Sequence, residues 1–200
     1  MLTAGIDEVG RGALFGPVVA GAVVVTPDTA AQLSSLGVTD SKRLTPPKRE
    51  ALVAPIQQQV VSFAIALATV QEIERLNILQ ASLLAMKRAI VRLAVTPDIC
   101  LVDGNQRIPN LDLPQTTVVK GDQQEVAIGA ASILAKVWRD ALIVQLANRY
   151  PGYDLASNKG YGSRRHRAAI AQYGLTPQHR RSFKISTPLS LLPDPDTFLQ

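Results

Sequence analysis

Residues 18–25 form a valine-rich run between two prolines, Pro17 and Pro27. A β-branched stretch bounded this way reads as a strand. Residues 2–6 form a shorter apolar strand just before it, and residues 60–70 a third after it. Residues 99–102 and 116–119 are brief apolar runs that read as buried strands, the first closing on Asp103-Gly104. Helical patterns separate them. Pro46-Pro47, with Thr45 as N-cap, opens a helix reaching about Gln58. Residues 78–95 carry apolar positions at helical spacing, with Lys87, Arg88 and Arg92 on the polar face. Residues 125–147 predict a long helix and 164–173 a shorter one. Three early strands followed by alternating helices and strands predict an α/β mixed sheet, an antiparallel meander joined to a parallel βαβ part.

A chain of 200 residues suits one compact domain with a small appendage. No apolar run reaches the roughly 18 uncharged residues a membrane span needs. The first seven residues show no basic segment leading into a long apolar stretch, so no secretory signal is read. The single cysteine, Cys100, excludes an internal disulfide framework and a cysteine-ligated zinc site. A reducing cytoplasm is the expected compartment, and a monomer the default state.

The net charge of +5 is unevenly spread. Residues 151–185 net +6, residues 1–150 only +1, and the last fifteen residues −2. This basic segment suits a polyanion such as nucleic acid, or equally a solvated helix face.

Asp7-Glu8 closes the first predicted strand, and Asp103 closes a later one. Ligands gather at strand ends in α/β sheets. If those strands lie parallel and adjacent, Asp103 sits beside Asp7. Oxygen ligands without nearby histidine or cysteine suit Mg²⁺ or Mn²⁺. Asp140 on the long helix is a possible fourth carboxylate, against the ordinary alternative of a surface side chain. Gly10-Arg11-Gly12 follows the acidic pair. It lacks the Lys-Ser/Thr of a phosphate-binding P-loop, and no helix opens after it as a dinucleotide fold requires. What remains is a loop whose backbone can approach a substrate closely, with Arg11 available for phosphate. Ser41 and Lys42 in Asp40-Ser41-Lys42 either cap a turn or touch phosphates, and Lys120-Gly121-Asp122 follows a strand in the same way. Asn158-Lys159-Gly160-Tyr161-Gly162 places an aromatic among glycines beside cations, and His179-Arg180-Arg181 adds donors.

Taken together, these segments resemble ribonuclease HII, the bacterial type 2 RNase H. The resemblance rests on GIDEVGRGALFGPVVAGAVV at 5–24, DSKRL at 40–44, LVDGN at 101–105, KGD at 120–122, AIGAASILAKVWRD at 127–140, NKGYGS at 158–163 and TPQHRRSF at 176–183. Departures are small: Phe15 stands where a smaller residue is usual and Gly129 where alanine is common. The resemblance implies an RNase H-like mixed five-stranded sheet flanked by helices. The catalytic unit would span residues 1–150, and a basic helical extension and tail residues 151–200. It implies a metal site of Asp7, Glu8, Asp103 and Asp140 using Mn²⁺ or Mg²⁺. Gly10, Arg11 and Gly12 would sense a ribonucleotide 2′-hydroxyl, and Tyr161 would pack on the deoxyribose after the RNA–DNA junction. Ser41, Lys42, Lys120, Lys159, Arg180 and Arg181 would contact the substrate backbone. The activity implied is endonucleolytic cleavage of RNA in RNA–DNA hybrids, and 5′ of single ribonucleotides in duplex DNA, leaving 3′-hydroxyl and 5′-phosphate ends. Another nuclease of the same fold and a non-catalytic hybrid binder are the rival readings. No sliding-clamp motif is evident in residues 186–200.

Overall fold

A computed structural model describes residues 1–39, 41 and 43–185. One five-stranded sheet has the order β3-β2-β1-β4-β5. β1 (Thr3–Val9) pairs antiparallel with β2 (Val18–Val25), which pairs antiparallel with β3 (Ser62–Ala68). On its other side β1 runs parallel to β4 (Ile99–Asp103), which is parallel to β5 (Gln115–Val118). This is the meander-plus-parallel arrangement expected from the sequence. Strand β1 runs on through Asp7 and Glu8, beyond the predicted residues 2–6.

Between the strands run α1 (Pro27–Ser35), α2 (Pro46–Gln59), α3 (Val70–Leu76) and α4 (Ile78–Val91). After β5 come α5 (Gly121–Gln124), α6 (Val126–Arg149), α7 (Leu155–Asn158) and α8 (Arg164–Tyr173). Helices α1 and α3 escaped the sequence reading. Each is only about two turns long, too short for periodicity, yet each has a threonine capping box (Thr26 with Thr29, Thr69 with Glu72). Thr45 is the N-cap of α2 but makes no side-chain cap hydrogen bond.

Two layers bury the sheet. Alternate residues of β1 (Ala4, Ile6) and β4 (Cys100, Val102) pack with Ala81, Ala85, Met86 and Ala89 of α4. The opposite face receives α6 at very close range. A Cβ on Gly5 would lie 2.1 Å from the Ala127 carbonyl carbon, and one on Gly21 2.5 Å from the Ala131 carbonyl oxygen. Only glycine lets the helix backbone rest directly on the strands here. A third cluster joins Leu14, Phe15 and Ile143 to Tyr153, Leu155, Ala169 and Ile170, fastening residues 153–170 to the loop after β1.

Candidate active site

The β1–β4 register aligns Ile6 with Val102, so Asp7 and Asp103 are the next residues in step at the strand ends. Asp7 shares the α6 face with Gly5, while Glu8 shares the α4 face with Ile6. Adjacent carboxylates therefore leave opposite faces of one strand. They still converge, because each offers an oxygen within 4.8 Å of the others and of one from Asp103. The Glu8 amide donates to Asp7 Oδ1 at 2.7 Å, so the Asp7 carboxylate folds back along its own backbone.

Asp7 is 5% exposed. Burial, and then the negative charge of Glu8, push its carboxyl well above the usual carboxylate range. The Ser132 hydroxyl, one helix turn beyond the Gly5 contact, offsets part of this by bonding the charged form. Glu8 is raised by burial as well, against the pull of Arg11, whose Nη1 donates to Glu8 Oε1 at 3.0 Å. Asp7 and Glu8, crowded with Asp103 and reluctant to ionise, are the kind of cluster a divalent cation relieves. Their all-oxygen donor set fits Mg²⁺ or Mn²⁺.

Asp140 is not one of the three carboxylates brought together here. It lies two helix turns past Ser132, about 12 Å along α6, and its Oδ1 accepts from Lys136 Nζ at 2.8 Å. A further buried carboxylate next to Asp103's partner Gly121, not singled out from the sequence, is Asp122. It is 5% exposed and lies in the first turn of α5, directly after β5. Its neighbour Gly121 donates its amide to Asp103 Oδ1 at 2.7 Å. Asp7 and Asp103 thus lie among the last residues of two adjacent parallel strands, β1 and β4, and Asp122 just beyond the end of the third, β5. The signal was available: Lys120-Gly121-Asp122 is a third acidic strand end.

Two expectations change. Ser41 is buried, and its Oγ lies 2.8 Å from Ser132 Oγ, so it supports the residue beside Asp7 instead of facing a phosphate. Arg180 is completely buried and donates to the carbonyls of Gly16 (3.0 Å) and Arg11 (2.8 Å), which leaves it no phosphate to meet. Arg181, Lys120 and Arg11 are exposed. Lys42 and residues 186–200 lie outside the described residues.

The loop between β1 and β2 is held from behind. Buried Arg139 donates to the carbonyls of Phe15, Pro17 and Lys159 at 2.9–3.0 Å. The Gly160 carbonyl accepts the Leu14 and Phe15 amides. Gly10 has φ +90, and a Cβ there would strike Arg139 Nε at 2.1 Å. Tyr161 lies beneath Lys136 and Arg139, each 5.5 Å from its ring centre.

The Tyr161 carbonyl ends a buried relay. His179 Nδ1 accepts from the Thr176 amide at 3.0 Å, so its proton is on Nε2. That proton faces His166 Nε2 at 3.2 Å, and His166 Nδ1 donates to the Tyr161 carbonyl at 2.8 Å. Both imidazoles are neutral in this chain of donors. Beyond Tyr161 a cleft of about 820 Å³ is lined by Arg49, Lys136, Asp140, Lys159 and Tyr161.

The crystal structure of ribonuclease H2 from Pyrococcus horikoshii OT3 matches this architecture with a TM-score of 0.77 at 29% identity, over 92% of this chain and 95% of that one. Bst-RNase HIII, solved in complex with Mn²⁺, shares the fold at 21% identity, with a TM-score of 0.74 over 92% and 68% of the two chains. Sheet order and acidic strand ends define an RNase H-like, metal-binding nuclease. A family model described as Ribonuclease HII matches residues 4–186. Ribonuclease HII of Acaryochloris marina is 62% identical over 191 residues, 96% of this chain and 96% of that protein. The chain belongs to the ribonuclease HII family and is a nuclease of the hydrolase class.

Proposed function

We propose that the protein cleaves the RNA strand of RNA–DNA hybrids, and DNA duplexes 5′ of a single embedded ribonucleotide, leaving 3′-hydroxyl and 5′-phosphate ends. The observation that carries this reading is the acidic centre of Asp7, Glu8 and Asp103 placed directly before the Gly10-Arg11-Gly12 loop. Asp122 is the proposed fourth carboxylate. When bound, divalent Mn²⁺ or Mg²⁺ would lower the pKa of water and stabilise a leaving oxygen. Asp7, Glu8, Asp103 and Asp122 hold and orient that charge, and Ser132 fixes the Asp7 carboxylate. No histidine base is required of this chain, whose two histidines are committed to the buried relay.

Selection of RNA over DNA must come from the 2′-hydroxyl. The backbone of residues 10–12 supplies that contact without reading base sequence. Tyr161 offers a flat face for the sugar after the junction. Lys159, Lys136 and Arg49 give the cleft the positive charge a duplex backbone needs, and Lys120 and Arg181 add exposed cations elsewhere on the surface. The protein acts as a monomer.

The test is a DNA duplex bearing one ribonucleotide, incubated with Mn²⁺ or Mg²⁺ and then with EDTA, with product ends mapped. Metal-dependent cleavage on the 5′ side of the ribonucleotide is expected. Cleavage at random positions, or binding with no cleavage, would remove the proposal.

A further inference from the structure

Residues 11–17 present an unusual number of backbone carbonyls to buried cations. Arg180 Nε donates to the Gly16 carbonyl and Nη1 to that of Arg11, while the Arg180 amide donates to the Leu14 carbonyl at 2.8 Å. Arg139 takes the carbonyls of Phe15 and Pro17. No carboxylate is bonded to either guanidinium among the hydrogen bonds described. Arg180 Nη2 is buried without a hydrogen-bond partner, and the Phe183 ring lies 5.1 Å from the guanidinium carbon. Burial, with Arg139 beside it, depresses Arg180 to about 9. A buried cation with an unmet donor is costly for a fold. A shorter neutral side chain would fill this space at less cost, so the arrangement calls for a role.

The bond to the Arg11 carbonyl suggests the role. Every described peptide bond is trans, and in a planar trans peptide the C=O and the following N–H point in opposite directions. Holding the Arg11 carbonyl inward therefore turns the Gly12 amide outward. Gly12 is exposed, and a side chain built there would meet nothing within 4 Å. The donor therefore points away from Arg180, toward the exposed side of a loop that directly follows the acidic pair.

We propose that Arg180 is a positioning residue for ribose selection: it fixes the peptide between Arg11 and Gly12 so that the Gly12 amide is presented to the substrate 2′-oxygen. This inference rests on the reading of the loop given above. Arg180 never touches substrate. It acts through one carbonyl on the far side of a peptide, and the second bond to Gly16 stops the guanidinium from turning away.

The test compares kcat/KM for two duplexes, one carrying a single ribonucleotide and one carrying a 2′-deoxy-2′-fluoro nucleotide at the same position. Arg180→Lys, which keeps the charge but loses the fork, and Arg180→Met are expected to lower the ribo-to-fluoro ratio about tenfold, the size of one lost hydrogen bond. Equal losses on both duplexes, or an unchanged ratio, would overturn the inference. If either variant fails to fold, the parent protein decides by NMR in Ca²⁺. The Gly12 amide resonance should move with the ribonucleotide duplex and not with the all-DNA duplex, and equal behaviour would overturn the inference. A parent that does not separate ribo from fluoro would instead overturn the reading beneath it.

Discussion

The Gly121 amide donates to Asp103 Oδ1 at 2.7 Å, tying the first turn of α5 to the end of β4. That bond brings the chain of Asp122 to the acidic centre, whereas Asp140 is tied to Lys136. Asp122→Asn is expected to cut kcat/KM on a single-ribonucleotide duplex by about 100-fold or more, as for a lost metal ligand or its close support. Asp140→Asn should cost far less. The reverse order of losses would return the fourth position to Asp140.

Crowded carboxylates cost stability until a cation arrives. Burial and Glu8 raise Asp7, so its contribution to stability is present at low pH and lost as pH rises through the folded value. Metal-free Asp7→Asn should therefore melt no lower than the parent at neutral pH, while losing cleavage. Asp103→Asn should likewise abolish cleavage with an unchanged circular dichroism spectrum. Mn²⁺ at about 100 times its Kd should stabilise the parent by about 2.7 kcal/mol, and either variant by clearly less. Thermal melts with and without metal check both points.

The histidine relay gives the opposite pH dependence. Burial, with His166 beside it, holds His179 at about 4, and burial also lowers His166. Unfolded histidine protonates near 6.5. Between about 6.5 and 4 the unfolded chain binds more protons, so this part of the stability is complete above 6.5 and drains away on acidification. Urea titrations across that range should show a falling unfolding free energy. A His179→Gln variant should lose part of the slope, and an unaltered slope would show that the relay is not its source.

Close helix–sheet contact at Gly21 sets a packing limit. A Cβ would lie 2.5 Å from the Ala131 carbonyl oxygen, and backbone cannot swing aside as a side chain does. Gly21→Ala should cost about 1–3 kcal/mol or more, as overpacking does. Because the same helix face carries Ser132 to Asp7, activity should fall further than the unfolded fraction accounts for. Denaturant midpoints paired with kcat separate the two effects.

Much of this molecule is written in local pattern. Valine runs bounded by proline specify β2, helical periodicity specifies α4, α6 and α8, and the acidic pair after an apolar strand marks the centre. These are short-range signals, because strand and helix periods are properties of the chain itself. What the sequence could not decide is which distant groups meet. Lys120-Gly121-Asp122 marks a strand end in the sequence, but only the parallel register of β1, β4 and β5 sets that end beside Asp7 and Asp103. Arg180 reads as one more cation in a basic segment, yet packing against the loop after β1 buries it and turns its donors onto carbonyls. Ser41 reads as either a turn cap or a phosphate contact, and the fold buries it against Ser132. Charge and hydrogen-bonding capacity belong to the residue. Whether that capacity is spent on substrate or on backbone depends on burial, and burial is a property of the fold.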